Sequence, residues 1–204
     1  MDLGIVMSYI VAGILMIIIL TVGYNVNYSG SELSIQENQK TKVNEVIKTL
    51  NYDFPKIGYN NDVLPDTLIL TADSTSIQFY SNIDNSADGS VELITWELTS
   101  TTVTETENPN DLYLIRTVEG VSTTMSAGII NFSINYYDEL GSSSTLSIPM
   151  SASSNKAVID SIVQIEIILN TESTIGLQYS AAISKSYLPS SWTKRFSPSN
   201  LNIN

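Results

Sequence analysis

Oxygen-bearing side chains at alternate positions form the best candidate for a metal site in this sequence. In the segment Asp84-Asn85-Ser86-Ala87-Asp88-Gly89, carboxylate or hydroxyl groups recur at every second residue, and Glu92 follows. This spacing is typical of the first half of a calcium-binding loop, in which oxygen atoms ligate the ion and glycine permits the sharp bend. The twelfth position, where such a loop needs a bidentate glutamate, is Thr95. A polar hairpin turn explains the same residues. The turn is the favoured interpretation, and no other cofactor is expected. The calcium candidates are Asp84, Ser86, Asp88 and Glu92.

A second group of carboxylates lies in the segment Glu105-Thr106-Glu107-Asn108-Pro109-Asn110-Asp111. Paired carboxylates can perform general acid–base catalysis when an apolar pocket raises the pKa of one of them. The polar neighbours in this segment favour a solvated loop instead. Histidine and cysteine are both absent, which removes most options for a nucleophile, a general base or a transition-metal ligand. We therefore expect a protein that is not an enzyme.

The charge balance argues against nucleic acid as a partner. The chain has 204 residues with 21 acidic and 9 basic side chains, a net charge of −12. A surface of this sign repels the phosphate backbone of DNA and RNA. The basic pair Lys194-Arg195 lies between Trp192 and Phe196 near the end of the chain. We interpret this cluster as a tail that packs on the domain rather than as a ligand site.

The chain begins with a helical segment that is too apolar to be stable in water. Residues Leu3 to Val22 contain no charge, and twelve of these twenty residues are Leu, Ile or Val. At 1.5 Å per residue the segment is about 30 Å long, the thickness of the hydrocarbon core of a bilayer. The twelve branched aliphatic residues favour insertion by about 4 to 7 kcal/mol. The segment lacks the basic start, short apolar core and cleavage site of a secretory signal. It is therefore predicted to remain in the membrane.

The orientation of this helix does not follow from flanking charge, since no lysine or arginine precedes it. The size and composition of the C-terminal part predict an extracytoplasmic domain. A basic leader already removed, a chain that starts at Met1, and cleavage between Gly4 and Ile5 are all open alternatives. The predicted location is the cell membrane, with a single pass. An assembled chain would lie at the cell surface or in the periplasm.

A second helical segment follows, with apolar residues on one face only. Glycine, asparagine and serine in the stretch 23–31 predict a local unwinding. Pro55 and Gly58 predict a helix end between Asp53 and Ile57. The predicted stripe, which we expect to cover the dry face of a sheet, consists of Val43, Val46, Ile47, Leu50, Phe54 and Ile57.

Beyond about Leu64 the apolar period changes to two, which predicts an antiparallel sheet with one dry face. Trp96 is expected in its core. The final segment, Ser184 to Asn204, is predicted to be rich in loops. The predicted strands lie around Ile77 to Ile83 and at Val91 to Leu98, Asp111 to Val118, Ile129 to Tyr137, Thr145 to Met150 and Ile159 to Leu169. The predicted fold class is α+β, with three parts: residues 1–23 as the transmembrane helix, 24–58 as an amphipathic stalk and 59–204 as a β-rich domain.

This arrangement resembles the type IV pilin architecture, in which a long N-terminal helix lies on an antiparallel sheet. The segment from Leu50 to Tyr59 resembles the Leu-x-x-Asp-Leu-Arg-x-Ala-Gly-Tyr phrase of PilW-type minor pilins and J-type pseudopilins of type II secretion. Residues Thr71 to Phe79 are similar to the next segment of those proteins. Residues Ile130 to Gly141 resemble their Phe-x-Tyr-x-Asp-x-x-Gly hairpin. The strand that follows, Ile159 to Leu169, extends the likeness over most of the chain.

The resemblance implies a filament subunit that polymerises through its N-terminal helix with other pilin-like subunits. Such proteins usually carry a glutamate at the fifth mature position, whereas this chain has Ile5 there, with Asp2 as the nearest acid. Some pseudopilins at filament tips also lack that glutamate, so its absence fits an end-of-filament subunit as well as a subunit that does not assemble. The resemblance itself favours a minor subunit. The predicted assembly residues are Asp2, Leu3, Ile5, Val6, Ile10, Gly13, Ile14, Ile18 and Val22.

Two other functions remain open at this point. The chain could be a single-pass anchored binding or scaffold domain that never polymerises. It could also be an archaeal-type pilin or an anchored enzyme.

Overall fold

The computed structural model describes residues 3–59, 67–86, 90–178 and 184–202. One long helix, α1 (Leu3–Asp53), leads into a 3-10 turn (Phe54–Lys56), after which the described chain is mostly β-structure. The α+β class predicted from the sequence is confirmed. The bounds of the remaining elements are β1 (Ile69–Ala72), β2 (Ser76–Ser81), β3 (Glu92–Thr102), β4 (Leu112–Val118), β5 (Val121–Met125), β6 (Ile129–Tyr137), β7 (Met150–Ser151), α2 (Ala152–Ile159), β8 (Gln164–Glu172), β9 (Pro189–Phe196) and a 3-10 turn (Ser199–Asn202).

The long helix α1 runs without a break through the stretch 23–31, so the predicted local unwinding there is wrong. Polar side chains in and beside this stretch bond back to the helix instead of opening it. The Thr21 hydroxyl donates to the Ile17 carbonyl at 2.8 Å, and the Ser31 hydroxyl donates to the Asn27 carbonyl at 3.0 Å. The low helix propensity of glycine and asparagine, at most about 1 kcal/mol per residue, is therefore not enough to interrupt the backbone ladder.

The end of α1 agrees with the prediction from Pro55 and Gly58. The α-helix ends at Asp53, Pro55 lies in the 3-10 turn, and Gly58 has a φ of +71°. Its amide donates to the Tyr80 carbonyl at 2.8 Å. A left-handed glycine thus turns the chain away from the helix axis and toward the sheet.

The described strands form two sheets rather than the one that the period predicts. The larger sheet has six strands in the order β5-β4-β3-β2-β1-β7, and the smaller has three in the order β6-β8-β9. Every pair within them is antiparallel. The hydrophobic core contains residues from both sheets and from the C-terminal half of α1. Two sheets and a helix therefore share one core.

Three predicted elements near the C-terminus differ from the structure. Only Met150 of the predicted strand Thr145–Met150 lies in a strand, because Pro149 has no amide hydrogen to give to a ladder. Ile159 ends α2, and the strand predicted from that residue begins at Gln164 as β8. The tail predicted as loops forms β9, which pairs with β8 from Ile165 opposite Phe196 to Glu172 opposite Pro189.

Candidate functional site: the projecting helix and its anchor

The N-terminal half of α1 projects from the domain. Every residue from Leu3 to Asn27 is exposed, and the first buried side chain of the helix is Gln39. A helix from residue 3 to residue 38 is about 54 Å long. Its apolar stretch is long enough to cross a membrane, and none of that stretch is buried by the rest of the described chain. Large apolar side chains such as Leu3 (78% exposed) and Ile17 (67% exposed) are not covered by the rest of the described chain. A contiguous apolar surface of this kind marks a membrane or protein contact.

The predicted assembly residues lie on this projecting segment, apart from Asp2, which lies outside the described residues. Gly13 is the smallest of them, and a methyl group placed on it would meet nothing within 4 Å. The surface around it is therefore open on the isolated chain. The others are all exposed: Leu3, Ile5, Val6, Ile10, Ile14, Ile18 and Val22.

The predicted helix-to-sheet residues lie at the other end of α1, against the core. Ile47 is half-buried and packs on the core from its edge. The other five are buried to at least nine-tenths: Val43, Val46, Leu50, Phe54 and Ile57. The stripe thus fixes the domain to one side of the helix.

Phe54, in the turn that ends the helix, is the centre of an aromatic cluster. Its ring centroid lies 5.7 Å from that of Phe79 on β2, 6.5 Å from that of Trp96 on β3 and 5.4 Å from that of Phe196 on β9. Trp96 is fully buried, which confirms its predicted place in the core. Because β2 and β3 belong to the larger sheet and β9 to the smaller, this one side chain joins both sheets to the helix.

A buried ion pair at the last residue of α1 completes the anchor. Both carboxylate oxygens of Asp53 accept from Arg116 on β4, at 2.6 Å from Nε and 2.9 Å from Nη2. The indole Nε1–H of Trp96 also donates to Asp53 Oδ2 at 2.9 Å. Asp53 is fully buried, and the Arg116 side chain is 17% exposed. A bidentate pair of this geometry fixes both the distance and the angle between helix and sheet.

Sequence reasoning overlooked the role of Asp53. One signal was present: an acid in the last turn of a helix faces the negative end of the helix dipole and is disfavoured there. No basic residue lies in that turn to offset it. Such an acid needs a partner from elsewhere in the fold, but the choice of Arg116, 63 residues away, is set by strand pairing.

The described residues of the candidate calcium loop, for which the sequence favours a turn, make hydrogen bonds to nearby backbone amides. The Asp84 carboxylate accepts from the Ser86 amide at 2.8 Å, and the Glu92 carboxylate accepts from the Ile83 amide at 2.8 Å. Asp88 lies outside the described residues. Among the described residues, no group of three or more histidine, cysteine, aspartate or glutamate side chains has the geometry to hold a metal. Calcium binding at this loop stays an untested alternative to the favoured turn.

The acids between residues 105 and 111 occupy two different environments. Glu105 and Glu107 are exposed, and hydrogen bonds from Tyr113 and Lys185 respectively lower their pKa values. Asp111, in contrast, is fully buried, so the prediction of a solvated loop is wrong at that residue. Burial raises the pKa of Asp111, although the Thr106 hydroxyl, two backbone amides and the charge of Lys42 oppose that rise.

The basic pair near the C-terminus packs on the domain, in keeping with the sequence-based interpretation. Lys194 donates to the Asn51 side chain at 2.5 Å, which ties β9 to α1. Arg195 pairs with Glu166 at 3.1 Å and stacks over the Tyr137 ring at 3.9 Å. Burial alone would raise the pKa of Glu166. Hydrogen bonds from Tyr137, Asn135 and Arg195 outweigh burial, so the pKa lies below its ordinary value.

The structure thus shows one long N-terminal helix. Its apolar first half is exposed, and its second half packs on antiparallel sheets. A long N-terminal helix on antiparallel sheets is the part of the predicted architecture that is confirmed. No family model, curated protein or solved structure matches the chain.

Proposed function

We propose that this chain is a structural subunit of a filament of the type IV pilus or pseudopilus kind. In this proposal it is anchored in the membrane before assembly and polymerises through α1. The observation that carries the proposal is the complete exposure of an apolar helix whose other end is fixed to a folded domain. The resemblance to PilW-type minor pilins and J-type pseudopilins suggests this class of filament, and it also suggests a minor subunit.

The physical basis is an exchange of one apolar environment for another. The aliphatic residues of α1 cannot remain in water, and lipid tails or the helices of neighbouring subunits can cover them equally well. Moving from lipid into a bundle of helices therefore costs little free energy. Small residues such as Ala12 and Gly13 let neighbouring backbones approach closely, which adds van der Waals contact that lipid does not give.

The contacts that fix the C-terminal end of α1 to the domain support the same function. A filament transmits load from one subunit to the next, so its helix and domain must keep a fixed relation. The Asp53–Arg116 pair and the Phe54 cluster supply that relation at the point where the helix ends. Twenty of the 21 acidic side chains lie beyond the apolar segment, so in a bundle of such helices the charged domains would face water.

A substitution at Gly13 tests the proposal. Gly13→Leu removes a poor helix former and adds an apolar side chain, so helix formation and membrane insertion should both be maintained. In a helix bundle the added side chain would block close approach. We expect the amount of chain in the membrane fraction to be unchanged, and the amount in filaments sheared from cells to fall at least tenfold.

The matched control is Ile17→Leu, which keeps the side-chain volume and should assemble like the wild type. Assembly of Gly13→Leu at wild-type levels would contradict close helix packing at this site. Retention of the wild-type chain in the membrane fraction after shearing, with none in filaments, would favour the anchored binding or scaffold domain that does not polymerise.

A further inference from the structure

Strand β5 forms one outer edge of the larger sheet, and its residues are open to solvent. The positions from Val121 to Thr124 are all exposed, and the Val121 side chain is 72% exposed. β5 pairs with β4 along its whole length without a register shift, so this edge is regular. A row of unpaired amide and carbonyl groups on such an edge is a template for pairing with another strand.

The turn before β5 determines which backbone groups face outward. Glu119 and Gly120 have φ values of +48° and +79°, as in a two-residue hairpin of type I′. In such a hairpin Val121 directs its amide and carbonyl toward β4, and the direction alternates along the strand. The Glu119 amide donates to a β3 carbonyl at 3.0 Å, which agrees with this alternation. The amide and carbonyl groups of Ser122 and Thr124 therefore point away from β4, and they have no backbone partner among the described residues.

The other sheet edges of the described chain are protected against such pairing. The edge of β6 is covered by the Ser74 carbonyl and the Leu146 amide, each in a hydrogen bond of 2.8 Å. β7 has only two residues, and β9 begins at Pro189 and carries Lys194. Covered edges, short strands, proline and lysine are the devices by which natural sheets avoid edge pairing. β5 has neither a charge nor a proline, so it lacks these devices.

We propose that β5 pairs in the antiparallel direction with β5 of a second copy of this chain. The pairing is centred on Thr123, which then lies opposite its own counterpart, while Ser122 lies opposite Thr124 and Val121 opposite Met125. Because the two strands have the same sequence, both halves of this register are equivalent. Each outward amide and carbonyl of Ser122 and Thr124 then finds a partner. A two-fold contact of this kind closes at two copies.

The distribution of charge favours a second copy as the occupant of this edge. The chain has a net charge of −12, so contacts between two copies generally bring like charges together. β5 has no ionisable side chain, and the nearest acid along the chain is Glu119 in the turn. In the register centred on Thr123 the two Glu119 residues are about eight positions apart, or about 27 Å. This distance exceeds the Debye length of about 8 Å at physiological ionic strength, so their repulsion is largely screened.

The pairing also sets the relative direction of the two long helices. Gln39 of α1 donates to the carbonyl of Ala127, which follows the end of β5 and is therefore level with the start of β4. Asp53, at the other end of α1, bonds to Arg116 in the middle of β4. α1 thus advances in the direction of β4 and against that of β5. Antiparallel pairing of two β5 strands reverses every element that runs along them, so the two apolar helices project in opposite directions.

Two chains that are inserted in one membrane with their domains on the same side have parallel helices. A pair with opposed helices therefore joins chains from two different membranes or two different filaments. The partner at this edge is a copy of the chain on a facing surface. This inference rests on the proposed membrane anchoring by α1 but does not require the chain to polymerise.

Charge reversal at Thr123 tests the pairing, because this residue faces its own counterpart across the two-fold axis. Thr123 is exposed, so Thr123→Lys and Thr123→Glu should fold like the wild type. Like charges directly opposite each other destabilise a strand pair, and opposite charges stabilise it. In sedimentation of the full chain in detergent micelles, the wild type should form dimers. Either variant alone should raise the dissociation constant about tenfold or more, and an equimolar mixture of the two variants should recover the dimer.

Ser143 provides the matched control, since it is exposed in the loop after β6 and away from β5. Ser143→Lys and Ser143→Glu change the net charge by the same amounts and should dimerise like the wild type. A second variant at the edge keeps the charge constant. Thr124→Pro removes an outward amide, which an edge strand tolerates, and should abolish the dimer, whereas Thr124→Val should retain it.

Vesicle tethering tests the opposed direction of the helices. The chain is inserted into two populations of phosphatidylcholine vesicles that carry different dyes. Wild-type vesicles should form about tenfold more two-colour aggregates than vesicles without protein, since many weak pairs act together. Vesicles with Thr123→Lys should tether to vesicles with Thr123→Glu but not to their own kind. Gly13→Leu should tether like the wild type, so a failure of filament assembly leaves this result intact.

Several outcomes would overturn the proposal. A wild-type chain that stays monomeric in micelles would do so. Dimers that survive both charge reversals, or that the mixture does not recover, would show that the contact lies elsewhere. Dimers in micelles without any tethering of vesicles would contradict the opposed direction of the helices.

Discussion

Removing the Asp53 carboxylate should destabilise the domain more than any surface substitution. In Asp53→Ala, Arg116 loses both of its hydrogen bonds to the helix end, and the Trp96 indole loses its acceptor. The helix would then be held against the sheets by apolar contact and by the remaining polar contacts along it, such as the Lys194–Asn51 hydrogen bond. The stripe from Val43 to Ile57 remains in place, so the variant should still fold.

The magnitude follows from the burial of the two partners. Breaking a buried ion pair from one side costs about 3 to 5 kcal/mol, because the remaining charge stays buried without a partner. The Asp53 side chain is fully buried, but Arg116 is 17% exposed and can recover part of its hydration. The expected loss therefore lies at the lower end, about 3 kcal/mol. With a urea dependence of about 1 to 3 kcal/mol/M, the midpoint of unfolding should fall by about 1 to 3 M.

The assay is urea unfolding of the full chain in detergent micelles, followed by circular dichroism and by fluorescence from Trp96 and Trp192. A double-mutant cycle with Arg116→Ala should give a coupling free energy of about 2 kcal/mol or more. The exposed pair Lys156–Asp160, whose side chains are 48% and 32% exposed, is the control. Asp160→Ala should cost less than about 1 kcal/mol. A cost below about 1 kcal/mol for Asp53→Ala, with no measurable coupling, would refute the role assigned to the pair.

Two further predictions concern the turn at Gly128 and the acid Glu166. Gly128→Ala should cost more than about 3 kcal/mol in the same assay, because its methyl group would overlap the Glu172 carbonyl. Gly120 has a similar φ of +79° but lies in open space, so Gly120→Ala should cost only about 1 to 2 kcal/mol. Equal costs for the two variants would count against a steric cause. Because the pKa of Glu166 is lowered in the folded chain, its contribution to stability is present above about pH 4.3, its unfolded pKa, and is lost as the pH falls through the folded pKa. The stability difference between the wild type and Glu166→Gln should therefore shrink on acidification, and a constant difference from pH 6 to pH 2 would contradict this.

Patterns that are local in the chain could be predicted from the sequence alone. Twenty residues without a charge predict an apolar helix, and its continuous exposure agrees with that composition. The helix end follows from Pro55 and Gly58 because φ restrictions act within a few residues. The apolar stripe on α1 and the strands β2, β3, β4 and β6 follow from the spacing of apolar residues along the chain, which is also a local property.

Non-local partners could not be predicted in this way. β9 contributes few apolar positions, so its period is indistinct, and it is a strand because β8 offers an open edge beside it. The burial of Asp111 arises where a loop, a turn and α1 meet. Polar neighbours in the sequence say nothing about that enclosure.

The sequence by itself determined that the N-terminal segment must avoid water and that a β-rich acidic domain follows it, because hydrophobicity, net charge and helix breakers are properties of short stretches. Only the tertiary structure decided how that domain holds the helix. Asp53 meets Arg116 and Trp96, and Gln39 meets the turn beside Asp111, through strand pairings that bring residues more than forty positions apart into contact. Such contacts depend on the order of strands in two sheets, and the free energy that selects that order is spread over the whole core.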